Sequence, residues 1–158
     1  MKYRCLTNDE LTELEEEFKH FLISNNVYTE EWEELNKKND KKVEELIEMF
    51  SDIVLDKALK NIKYMEHVTP QDIKSFKCDE DKMTLIGIAS KNQHIDFTKD
   101  DLSDFKDELD IFKTTKTYHK ERELEVFDLL QSGCTIINEE QYNKLEMAHT
   151  YSTKQIKN

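Results

Sequence analysis

Met83-Thr84-Leu85-Ile86-Gly87-Ile88-Ala89 is the stretch that decides the fold class. It is rich in branched apolar residues, which suit the pleated, half-buried surface of a strand. Working outward, residues 73–78 and 63–68 read as two more short strands. Asp79-Glu80-Asp81-Lys82 then forms the hairpin connection between the last two, and Thr69-Pro70 marks the break between the first two. Residues 90–97 are polar and read as a loop.

The flanks carry helical periods. Thr7 and Glu10 make a capping box, with Leu6 and Leu11 at the staple positions. Leu11, Leu14, Phe18, Phe21 and Leu22 then form one apolar stripe to about Ser24. Thr29 opens a short second helix carrying Trp32 and Leu35. A long third helix starts near Asp40, where Val43, Leu46, Ile47, Phe50, Val54, Ala58 and Ile62 hold the period over several turns. On the other side, Thr98 with Asp101 signals a helix striped by Leu102, Phe105, Leu109 and Phe112. A fifth helix is predicted from Tyr118 to Ser132, stopped by Gly133. Cys134–Ile137 reads as a short strand or extended link, and Asn138 with Gln141 caps a last helix.

The fold class that follows is α+β and mostly helical: N-terminal helices, a small three-stranded antiparallel sheet in the middle, and C-terminal helices packed on it. With 158 residues, no internal repeat and no low-complexity linker, one domain over residues 1–151 is the economical reading, and residues 152–158 read as a disordered tail. Only two Gly and one Pro are present, which favours long helices over tight turns.

Charge narrows the partners. The net charge is −12, spread over both halves of the chain, and such a field repels nucleic-acid phosphates and anionic membranes. Direct nucleic-acid or membrane binding is therefore not expected, and a protein partner is. Cys5, Cys78 and Cys134 are odd in number and form no C-x-x-C pair, as free thiols in a reducing cytoplasm would be. No stretch is apolar for the length of a membrane span, and the first residues lack the apolar core of a signal peptide.

Candidate chemistry is sparse. None of His20, His67, His94, His119 and His149 belongs to an H-E-x-x-H or H-x-H unit. Glu66, His67 and Cys78 fall on adjacent predicted strands and make the one corner where a small hydrolase-like site could assemble, but two ligands are too few for a closed zinc site. The run Asp96, Asp100, Asp101, Asp104, Asp107, Glu108, Asp110 could gather around a hard cation, with 100, 104, 107 and 108 on one helix face. It lacks the calcium-loop pattern, and a solvated helix face explains it. No cofactor is implied: a Gly-rich phosphate loop cannot be built from Gly87 and Gly133.

Arginine usage is less ordinary. The chain holds 21 Lys but only Arg4 and Arg122. A guanidinium is a planar, bidentate donor that an ammonium cannot replace, so each arginine is expected to hold a carboxylate, within the fold or on a partner. Trp32 is the aromatic to consider as a binding anchor, with burial in the core as the alternative.

Met1-Lys2-Tyr3-Arg4, Leu6-Thr7 and Glu10-Leu11 begin a series of segments that resembles a family of small acidic bacterial proteins of unknown function. Glu44–Asp52, Lys63–Pro70, Phe76-Lys77-Cys78, Glu80-Asp81-Lys82, Ile95–Thr98, Glu121-Arg122-Glu123, Phe127 and Ser132-Gly133 continue it over most of the chain. The resemblance implies a stand-alone cytoplasmic protein and brings no activity, cofactor or partner. The preferred reading is a non-enzymatic cytoplasmic protein-interaction or regulatory protein. The alternatives are a small enzyme at Glu66/His67/Cys78 and an acidic mimic of nucleic acid. Oligomeric state stays open, since the stripes of the first and third helices can face each other or a partner chain.

Overall fold

The computed structural model describes residues 1–91 and 94–156. They form two compact units, 1–59 and 60–158.

The first unit is helical. The Thr7 capping box is formed: Glu10 N donates to Thr7 Oγ1 and Thr7 N to Glu10 Oε1. Helix α1 spans Asn8–Glu13, and a break at Leu14 separates it from α2, Glu15–Ser24, so the first predicted helix is two. Helix α3 is Thr29–Lys37 and α4 is Lys41–Lys60. Asn26 and Asn39 take positive φ (59° and 49°) just after α2 and α3. Val27 N reaches Leu22 O while Asn26 N reaches Ile23 O. Likewise Asp40 N reaches Leu35 O while Asn39 N reaches Asn36 O. These are Schellman stops built on asparagine, which tolerates the left-handed region where glycine is the usual choice. The first stop also turns Val27 inward, where it packs with Leu22 and Leu46 beneath Phe18, Phe21, Trp32 and Leu35.

The N-terminal strap is pinned to α4. Lys2 N and Tyr3 N both donate to the Asp52 carboxylate, Tyr3 Oη to Asp56 at 2.7 Å, and Leu6 N to the fully buried Ser51 Oγ at 2.9 Å. Ser51, Asp52 and Asp56 lie within two turns of one helix, so the strap's first amide groups have acceptors waiting. Burial and the bond to Asp56 push the Tyr3 phenol up to about 12.

In the second unit the expected three-stranded sheet is corrected to a five-stranded one. Strands β1 (Tyr64–Val68), β2 (Asp72–Cys78) and β3 (Lys82–Ser90) lie where their composition puts them. They are joined by β4 (Leu109–Thr117) and the two-residue β5 (Thr135–Ile136). The order is β4-β3-β2-β1-β5, every neighbour antiparallel. The error has a physical source. Leu102, Phe105, Leu109 and Phe112 are spaced 3, 4 and 3 apart, which imitates a helix. In the fold Leu102–Glu108 is a 3-10 turn capped by Asp101, and the chain then becomes extended. Leu102, Phe105, Leu109 and Ile111 join one cluster with Ile88, Ile95 and Phe97. Phe112 turns to the opposite face, where it lies over Gly87.

Two helices follow β4. Helix α5 is Arg122–Gln131 and α6 is Glu139–Ile156. They cover opposite faces of the sheet. Lys116, opposite Met83, is bound at 2.8 Å by Glu125 of α5, and Lys113, opposite Ile86, at 3.3 Å by Glu146 of α6. Side chains an odd number of positions apart on a strand point to opposite faces. Gly133, at φ +102°, ends α5 in a Schellman motif, with Cys134 N on Leu129 O and Gly133 N on Leu130 O. The Asn138–Gln141 box caps α6 in both directions. Residues 152–156, read from sequence as tail, continue α6; 157 and 158 lie outside the described residues.

Candidate functional site

Arg122 sits at the first residue of α5 with only 11% of its side chain exposed. Its guanidinium donates to backbone carbonyls from two distant segments. Nε reaches Asp79 O at 3.2 Å, and Nη2 reaches Cys78 O at 3.0 Å and also Ile62 O. The Glu123 carboxylate lies 3.4 Å from Nη1. Four residues earlier, Tyr118 Oη donates to Asp79 O at 2.7 Å and Lys82 O at 3.2 Å. Tyr118 and Arg122 together tie the β2–β3 hairpin turn and the entry to β1 onto the start of α5. The carboxylate expected for Arg122 is present, but backbone carbonyls take most of its fork.

Next to this knot lies an open bowl of about 750 Å³, whose lining includes Lys60, Lys63, Tyr64, Cys78, Glu121 and Arg122. Both signs of charge line it. Its thiol is a poor nucleophile: burial pushes Cys78 up to about 11, with Arg122 pulling the other way. Cys134 is raised by burial too, and Cys5 is exposed.

The Glu66/His67/Cys78 corner does not converge. Glu66 and His67 are successive on β1 and point to opposite faces. Glu66 stands across from Ser75, on the α6 side; burial raises its carboxyl, and the buried Ser75 Oγ has no hydrogen-bond partner among the described residues. His67 shares its face with Cys78 but pairs with Lys74, four residues along β2, a separation of about 13 Å at strand rise. What His67 meets is Gly133, where an added Cβ would come to 3.6 Å from Nε2.

Arg4 holds the expected carboxylate, Glu10, through two parallel bonds of 2.8 and 3.1 Å. Those bonds hold the Glu10 carboxyl down to about 2. Glu10 thereby serves the strap and the α1 cap at once. Trp32 is half-buried, edge-on to Phe18 at 5.2 Å, and packs against the cluster of Leu22, Val27 and Leu46. The acidic run does not lie on one α-helix: Asp104, Asp107 and Glu108 are in the 3-10 segment, kinked at Phe105, and Asp100 lies before it. Asp96 accepts from Thr98, Asp100 from Asp96 N, Asp101 from Ser103, and Asp110 is on β4. Among the described residues no group of three or more His, Cys, Asp or Glu is placed to hold a metal ion.

Sequence reasoning missed the outer face of α6. Asn143, Glu146, Met147, Thr150 and Tyr151 border a shallow depression of about 500 Å³, with Met147 71% and Tyr151 66% exposed. The 143/147/150/151 spacing was a legible signal for one helix face.

These elements define an α+β protein: a helical unit, then a five-stranded antiparallel sheet with one helix on each face. No helix among the described residues is long and apolar enough to cross a membrane. The chain belongs to the family of unknown function DUF6495, whose model matches residues 1–150, as the resemblance of its segments implies. No curated protein and no solved structure matches it.

Proposed function

We propose that this chain is a non-enzymatic protein-interaction or regulatory protein of the bacterial cytoplasm, and that the outer face of α6 is its contact surface. The observation that carries the reading is the exposure of Met147 and Tyr151 side by side on that face. A large thioether and a phenol ring in contact with water favour a partner that covers them, and aromatic and Met side chains are common anchors in such contacts. Glu146 and Thr150 supply a polar rim. Three thiols without a disulfide fit a reducing compartment.

The test is capture of partners from native extract on the immobilised chain, at low and high salt, beside the Met147→Asp variant. The reading expects one partner retained at both salts and lost with the variant, as an apolar contact surface requires. Equal retention by the variant, or retention only at low salt, would move the contact to the acidic surface.

A further inference from the structure

We propose that β4 is a docking edge for a second copy of this chain, the two strands pairing antiparallel about Phe112 so that two five-stranded sheets become one.

The strand is outermost in the order β4-β3-β2-β1-β5. All nine residues pair with β3, from Lys82↔Thr117 to Ser90↔Leu109, with no bulge. Natural edges are blunted by brevity, proline or a bulge; β4 has none of these. Phe112 to Thr117 are exposed.

The phase of the ladder is fixed. Lys91 N donates to Glu108 O at 3.0 Å, in register with the β3–β4 pairs. Hydrogen-bonded and non-bonded pairs alternate in an antiparallel ladder. Residues 110, 112, 114 and 116 therefore turn their backbone groups to β3, and 109, 111, 113, 115 and 117 turn theirs outward. Among the described residues nothing bonds to those outward groups. Lys113 and Lys116, the residues able to guard the edge, are instead drawn onto the two faces by Glu146 and Glu125.

A second copy fits this edge by charge. In the register about Phe112 the two Phe112 rings, each 44% exposed, oppose each other. Asp110 meets Thr114, Ile111 meets Lys113, and Glu108 meets Lys116, so opposite charges pair and like charges do not. The outward residues 111 and 113 then exchange bonds, as the ladder requires. Shifting the centre to Lys113 sets two ammonium groups against each other. Shifting it to Thr114 puts Phe112 against Lys116 and runs past the end of the strand.

The experiment is the solution mass of the full chain by light scattering and sedimentation, over a concentration series, for wild type and three exposed-site variants. Thr115→Pro removes an outward N–H and leaves the β3 ladder intact. Thr114→Asp places two acid pairs, 110 with 114 of each copy, in opposition, and Thr114→Lys converts them to opposite charges. The expected results are a wild-type dimer, a Thr115→Pro monomer with unchanged circular dichroism, and a dissociation constant raised about tenfold by Thr114→Asp and lowered by Thr114→Lys. A wild-type mass of one chain throughout, or a dimer indifferent to Thr115→Pro, overturns the proposal. If the proline variant fails to fold, the charge variants decide alone: the same shift from both, or none, overturns it.

Discussion

The two units place their rings differently. In residues 1–59 a group of rings packs on the buried Leu22, Val27 and Leu46: Phe50 stands 4.9 Å from Phe18 and 5.4 Å from Phe21, and Trp32 meets Phe18 edge-on. In residues 60–158 aliphatic and thioether side chains on the sheet, Met65, Ile86 and Val126, are fully buried together with the Tyr142 ring of α6. The arginines divide the same way. Arg4 meets a carboxylate at the surface, while Arg122 is sunk among carbonyls. The contrast teaches that one residue type carries different weight according to what it replaces. Arg4 competes with water for Glu10, whereas Arg122, 11% exposed, donates to three backbone carbonyls at once.

The contrast can be broken from the ring side first. Phe50→Ala should cost about 3–5 kcal/mol, because a ring packed against two others leaves a void the helices cannot close. Trp32 is the single tryptophan and lies in that cluster, so its fluorescence during urea unfolding reads the loss directly. A cost below 1 kcal/mol would mean that the rings do not form the core of this unit.

On the sheet side the corresponding probe is Gly87→Ala. An added Cβ would come to 2.1 Å from Phe112 Cζ, so the ring must leave its place over the glycine. The expected cost is about 1–3 kcal/mol. Most of it should vanish in a Phe112→Ala background, and a double-mutant cycle on thermal melting measures that coupling. Equal cost in both backgrounds would place the strain elsewhere.

The smallest effect, at Arg4, is read against Arg122. Arg122→Lys should cost about 1–3 kcal/mol, since an ammonium cannot reach the carbonyls of Ile62, Cys78 and Asp79 together. Arg4→Lys should shift the melting temperature less. Equal shifts would dissolve the distinction drawn above.

The helices of the first unit were largely legible because their apolar residues recur at helical spacing and Thr7 and Glu10 announce a start. Their stops were not. Two glycines suggested few turns, yet Asn26 and Asn39 perform the glycine's part with positive φ. The sheet was legible at β3, where branched residues run together. It was misread at β4, where a 3-10 turn followed by a strand mimics helical spacing; the corrective signal was Ile111 with Thr114, Thr115 and Thr117. The Glu66/His67/Cys78 corner shows the complementary limit. Adjacent strands suggested proximity, but register and facing, which decide it, follow from pairing and not from composition.

Arg122 also bears on the order of events in folding. Its bonds join residues 43, 44 and 60 positions away in the chain. Chain closure over such lengths gains nothing until the β2–β3 hairpin already stands. A guanidinium latched late acts on the lifetime of the folded chain: Arg122→Lys is expected to raise the unfolding rate and leave the folding rate unchanged, which the two arms of a denaturant chevron read separately.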